Sequence, residues 1–281
     1  TEYYRGISRA NLAIEKIPDI NMDETEKQKY LGEAKFFRAY YYFGLVRMFG
    51  NIPLITSSVD LGSEQLFAEQ VSTDAIYDLI ISDLTEAENS GLPWRDDSGR
   101  VSLGAVKTLL ADVYLTTAGF PLQQTANYAL AAAKAKEVID SNEYTLFDTY
   151  DDLHNPATKN TGEYIFMTQF AAGIQSGNWQ PAILPYNLGI SAYSAQTGGI
   201  FSTNEFAESY EVGDKRAEEK QFYFRSYSLE ADRNDSINLG APYIFKHFDV
   251  AANEESAQSD LNWSLYRYAD VLLMYAEAAN E

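Results

Sequence analysis

The stretch GEAKFFRAYYYFGLVRMFGNIPL, Gly32–Leu54, places seven aromatic side chains in one short segment: Phe36, Phe37, Tyr40, Tyr41, Tyr42, Phe43 and Phe49. Aromatics at this density serve a ligand platform, a partner surface or the inside of a packed wall. Spacing separates these readings. Tyr30, Ala34, Phe37, Tyr41, Leu45 and Met48 recur at steps of four and three, which places them on one face of a helix. Phe36, Tyr40 and Phe43 form a second apolar stripe beside it. Asp23 with Glu26 reads as a capping box at the start, and Gly50 with Pro53 as the stop. A long helix with two apolar stripes packs on two sides, as in a helical array. Most of these aromatics are therefore expected to be wall material.

Working outward, the helical texture continues on both sides. TEYYRGISRANLAIEKI precedes the signature stretch. STDAIYDLIISDLTEAENSG follows, with Ser72 or Thr73 as cap and Gly91 as its end. The next helix starts at Ser102, buries Leu103, Val106, Leu110 and Val113, and ends at Gly119. Another runs from about Thr125 to Asn142, rich in alanines that permit close helix approach. Three places fit the tetratricopeptide pattern W-x2-L-G-x2-Y loosely: Tyr40 to Arg47 around Gly44, Lys107 to Tyr114 around Ala111, and Leu272 to Ala279 around Ala276. Ala126, Leu130 and Ala133 then fit the small-residue spacing of a second repeat helix. From 143 to 260 Gly, Ser, Asn, Asp and Pro punctuate short runs such as EYIFMTQF and PYIFKHF, which read as short strands. Helical texture returns at LYRYADVLLMYAEAANE. The fold expected is mainly α: tetratricopeptide-like helix pairs over 1–142, a loop-rich insertion over 143–260, and a final repeat helix over 261–281.

The composition narrows the function. Acidic residues number 41 against 21 basic, a net charge of −20, so nucleic acid and anionic lipid surfaces should repel the chain. There is no cysteine, which excludes disulfides, thiolate zinc sites and cysteine nucleophiles. No apolar run reaches the roughly 20 residues that span a bilayer.

Five blocks in order resemble one family. LGEAKFFRAYYYFGLVRMFGNIPL, Leu31–Leu54, is similar to the signature helix of the SusD/RagB family of nutrient-binding lipoproteins of Bacteroidetes outer membranes. SRANLAIEKI resembles the family's preceding helix, GRVSLGAVKTLLADVYL its middle repeat helix, FAESYEVGDKR (Phe206–Arg216) the segment ending in Asp-Lys-Arg, and LYRYADVLLMYAEAANE the late arginine-tyrosine helix. The resemblance implies a tetratricopeptide-like scaffold with a loop-rich ligand face. It implies non-catalytic binding of glycan outside the cell, on a lipid-anchored protein of the outer membrane. It further implies delivery to a SusC-type TonB-dependent transporter. Family members extend further at both ends, so the chain reads as truncated at both. The segment carrying the anchoring cysteine is not in it.

The residues themselves favour binding over catalysis. His154 and His247 are the two histidines, and neither lies in a metal-ligand spacing. There is no G-x-S-x-G elbow and no phosphate loop. No cofactor or metal is expected; the DTYDD run, Asp148–Asp152, offers hard oxygens for calcium but lacks the EF-hand glycine and glutamate. A sugar site needs a flat aromatic for the apolar face of a pyranose and amides or carboxylates for its hydroxyl rim. SGNWQPAILPYNLGISAYSAQTGG, Ser176–Gly199, supplies Trp179, Tyr186 and Tyr193 with Asn178, Gln180 and Asn187 on a flexible backbone. It precedes the Asp-Lys-Arg block, a region that the resemblance associates with ligand aromatics. Trp94 and Trp263 rank second, since a tryptophan is also ordinary core material. Two other functions remain open: a tetratricopeptide-like adaptor holding a peptide in a helical groove, and a carbohydrate-active enzyme using a pair of its many carboxylates.

Overall fold

The computed structural model describes residues 2–59, 62–63, 67–177, 179–185, 198–228, 236–256 and 258–281. Its helices in chain order are α1 (Glu2–Lys16), α2 (Glu24–Phe49), α3 (Thr73–Glu88), α4 (Leu103–Ala118), α5 (Asn127–Asp140), the short α6 (Gln180–Ile183), α7 (Asn204–Ala207) and α8 (Val250–Glu255), and α9 (Tyr268–Asn280). The strands are β1 (Ile52–Pro53), β2 (Gln70–Val71), β3 (Tyr164–Thr168), β4 (Tyr223–Tyr227), β5 (Ile237–Ile244) and β6 (Trp263–Arg267). The chain divides into two compact units, Thr1–Thr145 with Tyr266–Glu281, and Leu146–Leu265.

The first unit is the helical one. Each helix packs on the next, α1 on α2, α2 on α3, α3 on α4, α4 on α5 and α5 on α9. Local chemistry sets the boundaries. The Asp23 carboxylate accepts the Glu26 amide at 3.1 Å and starts α2. Ser72 and Ser102 hydroxyls accept the amides of Ala75 and Ala105 and start α3 and α4. Gly50, at φ +70°, ends α2 in a backbone conformation that favours glycine. Phe36 and Tyr42 are fully buried and Phe43 nearly so, while Phe37, Tyr40 and Tyr41 are half-buried, so these aromatics are wall. The stripes fail at their ends, where Tyr30, Met48 and Phe49 reach solvent.

Arg38 also lies inside this wall. Its Nε and Nη2 each donate to the Asp83 carboxylate of α3 at 2.7 Å, and Nη1 donates to Asn11 Oδ1 of α1 at 3.0 Å. Asn11 Nδ2 in turn donates to the Ile55 and Ser57 carbonyls. One buried guanidinium thus ties three helices and the segment after α2 together. Burial pushes the Asp83 carboxyl up, against the pull of that guanidinium.

Three expectations differ from the structure. Ala126, Leu130 and Ala133 are exposed, and α5 instead buries Ala131, Ala135 and Val138. The buried set keeps helical spacing but is rotated from the one the repeat pattern suggests. Likewise Ala276 and Ala279 of the third match are exposed, and Val271 and Ala278 are buried. The final helix also starts later than LYRY. Residues Trp263–Arg267 form β6, paired with β3, and α9 begins at Tyr268. The Asp270 carboxylate accepts the Arg267 amide at 2.7 Å and fixes that start.

The second unit holds two-stranded pairings instead of a continuous sheet. β4 and β5 are antiparallel, with Tyr223 opposite Ile244 and Phe224 opposite Tyr243, and the register shifts before Ser226 meets Asn238. Phe224, Phe248 and Leu184 are fully buried beneath them, with Ile183, Tyr227, Leu239, Tyr243 and Phe245. A smaller core joins Leu153, Tyr164 and Met167 to Phe147 and Tyr150.

Candidate functional site

The candidate site lies in the second unit, on loops that side chains lock to one another. β3 runs into residues 169–177, and residues 258–262 clip that loop along its length. Asn262, almost fully buried, accepts the Phe170 amide at 2.8 Å and donates to Gln169 Oε1 at 2.7 Å. Asp260 accepts the Ala172 amide at 2.6 Å and Gln258 accepts the Gly173 amide at 2.7 Å. Gly177 and Ser259 exchange two backbone hydrogen bonds, 3.0 and 3.1 Å. This clip delivers Trp179, two residues past Gly177, beside Trp263, one residue past Asn262. The Trp179 carbonyl then accepts the amides of Ala182 and Ile183 and opens α6. Ile183 and Leu184 anchor that end in the core, so Trp179 is held from both directions.

The two indoles meet with ring centroids 4.8 Å apart and planes 37° apart. A third ring joins them, His247, stacked on Trp263 at 4.1 Å and 23°. His247 is placed by a tight turn after β5: the Phe248 amide donates to the Phe245 carbonyl at 2.8 Å, and both phenylalanines are buried. His247 occupies the third position of this turn at φ +70°, where glycine or asparagine is usual. A histidine there costs about 1–3 kcal/mol of backbone strain, which the buried neighbours hold in place. Trp179 remains 38% exposed and Trp263 is half-buried. An exposed indole face on a rigid backing can cover the apolar side of a flat, hydroxyl-rimmed ligand.

Thus the structure brings together Trp179, foremost in the sequence reading, and Trp263, ranked below it. Trp94 belongs to the other unit. Its carbonyl accepts the Tyr144 hydroxyl at 2.7 Å and the Gly104 amide at 3.1 Å, and the Lys107 ammonium sits 5.6 Å from its ring centroid. These contacts tie the loop before α4 to the helices. Asn178, Tyr186 and Tyr193, Asn187 and the side chain of Gln180 lie outside the described residues. His247 was not legible as a site residue, because neither its spacing nor its neighbours in PYIFKHF mark a stacking role. The acidic run 148–152 is internally engaged: Asp152 accepts the Thr149 hydroxyl at 2.8 Å and Asp151 accepts Gln221 Nε2 at 2.6 Å. Among the described residues no group of three or more His, Asp or Glu is arranged to hold a metal.

The other histidine is set differently. His154 lies between Tyr150 and Phe245, each ring centroid 5.5 Å away, and both of its nitrogens are buried with no well-formed hydrogen bond among the described residues. Burial pulls its pKa down to about 4, with Asp151 opposing and Lys246 adding to the effect.

Known proteins are similar to this chain in sequence and in fold. Residues 1–115 match a SusD-like family described as starch-binding and associating with the outer membrane, and residues 192–281 match the SusD family, SusD/RagB. SusD-like protein P38 of Formosa agariphila is 28% identical over 100% of this chain and 58% of its own length. The crystal structure of a SusD superfamily protein from Parabacteroides distasonis superimposes with a TM-score of 0.92 at 47% identity, covering 99% of this chain and 61% of that one. A laminarin-binding SusD-like protein gives a TM-score of 0.80 at 28% identity, covering 99% and 65%. The chain therefore spans less than two thirds of each of these relatives. With matches at both ends and relatives aligned across its length, the chain belongs to the SusD/RagB family.

Proposed function

We propose that the protein captures an extracellular glycan without catalysing its cleavage, at the outer face of an outer membrane, and passes it to a SusC-type TonB-dependent transporter. The observation that carries the binding reading is the exposed indole of Trp179, backed by Trp263 on loops that buried side chains hold rigid. The laminarin-binding relative supports glycan as the ligand class, and the outer-membrane family match supports the location. In this reading the helical unit is scaffold, the loop-rich unit carries the ligand, and Tyr186, Tyr193, Asn178 and Gln180, close to Trp179 in sequence, are further candidates for ligand contact. The test is a glycan array probed with the purified protein, followed by incubation with each bound glycan and assay of new reducing ends. Binding without release of reducing sugar is expected. Reducing ends formed in proportion to enzyme-like turnover would overturn the non-catalytic reading.

An adaptor function has one observation in its favour. α1 and α2 flank an open groove of about 390 Å³, lined by Ala10, Ala13, Ile17, Ala34, Phe37 and Tyr41. An apolar groove between helices suits an amphipathic helix. Peptide capture by a protein that ignores every glycan on the array would favour this second reading.

A further inference from the structure

The stacking order at the loop site has a consequence for what it can hold. An indole has two faces. His247 covers one face of Trp263 at 4.1 Å and 23°. Trp179 lies 4.8 Å from the same ring. The Trp179 ring is tilted 37° against Trp263, so the two indoles are in close ring contact. Trp263 is half-buried, and Trp179 stays 38% exposed.

We propose that His247 is a positioning residue for ligand capture: its ring backs Trp263, Trp263 backs Trp179, and the outer face of Trp179 takes a single pyranose ring. This rests on the glycan reading above and deepens it. A platform for an extended sugar ribbon would show several rings side by side and facing one way. Among the described residues these three rings contact one another in series, so the exposed Trp179 offers stacking to one sugar unit. The sugar that fits presents an uninterrupted C–H face to the indole, as glucose-configured pyranoses do. The left-handed backbone at His247, between the buried Phe245 and Phe248, aims the imidazole at Trp263.

The decisive experiment needs no ligand for its first part. In a Trp94→Phe background, Trp179 and Trp263 are the remaining tryptophans, and overlapping indoles give an exciton couplet in circular dichroism. His247→Asn tolerates the left-handed backbone but removes the ring. The couplet should fall by half or more in His247→Asn and return in His247→Phe, which restores a ring. Should Asn disturb the turn, His247→Gly removes the ring with no backbone strain and is expected to lose the couplet equally. A couplet unchanged by loss of the ring overturns the positioning role. The second part is calorimetric titration with laminarin and with laminaribiose. His247→Asn should bind laminarin about tenfold more weakly than the parent, and the parent should gain little in affinity per binding site from the longer chain. Equal affinity of variant and parent, or a steep gain with length, overturns the single-ring site. A parent that binds neither sugar counts against the glucan reading, while the couplet still decides whether His247 positions the stack.

Discussion

At the scale of single residues, two buried polar side chains carry measurable consequences. Arg38 is 7% exposed and Asp83 2%, and the pair is bidentate. Removing one partner of a buried pair leaves the other charge unmatched, at about 3–5 kcal/mol. Asp83→Ala should therefore lower the unfolding free energy by that amount in urea titrations, whereas Glu2→Ala, at an exposed pair with Arg5, should change little. His154 gives a pH dependence. Its pKa is about 4 in the folded protein, against an ordinary value of 6.5. The unfolded chain thus takes up the proton first as pH falls. The stability that neutral His154 contributes is fully present above about pH 6.5 and is lost as pH falls towards 4, the loss reaching about 3 kcal/mol. Comparing urea midpoints of the parent and His154→Phe at pH 7 and pH 4.5 should show the parent losing more. An equal loss in both would assign the acid sensitivity to other groups. Neither role was legible in the sequence. Arg38 lies between the aromatic stripes with no motif to mark it, and His154 follows the acidic run 148–152 in no metal-ligand spacing.

At the scale of elements, the helices were legible because their signals are local. Asp23, Ser72, Ser102 and Gly50 act within a few residues of themselves, and the structure uses each as its chemistry suggests. The close approach of α1 and α2 was also legible, from Gly44 in the repeat pattern: a Cβ there would lie 2.8 Å from the Tyr3 ring. Gly44→Leu should destabilise by roughly 1–3 kcal/mol through overpacking, seen as a lower melting temperature; an unchanged melt would mean that α1 moves aside freely. What failed was the rotation of α5 and the state of residues 263–267. The repeat pattern fixes the spacing of small residues but not which neighbour they face, and α5 packs on both α4 and α9. The alternation in WSLYR competes with a helical reading of the same residues, and pairing with β3, nearly a hundred positions away, decides it. The tryptophan pair depends on the same kind of distant contact, through Asn262 and Phe170. Sequence could nominate Trp179 and Trp263 separately, but had no means to join them or to add His247.

At the scale of the whole molecule, the division of labour follows from where rigidity and exposure fall. The helical unit buries its aromatics and stabilises its ends with caps. The loop-rich unit places an indole at the surface and uses the buried amide of Asn262 to hold the neighbouring loop. Delivery to a transporter predicts a stable partner: purified from native membranes in gentle detergent, the full-length protein should bring a large β-barrel protein with it, and recovery alone would argue against the partnership. The central claim is glycan capture on Trp179. It is tested most directly by calorimetric titration of the parent and Trp179→Ala with a glycan selected on the array, alongside thermal melts. Loss of an anchoring aromatic costs about 2 kcal/mol or more, near a thirtyfold rise in Kd, and the melting temperature should hold because the ring lies outside the buried core. A variant that folds like the parent and binds with the parent's affinity would contradict the account.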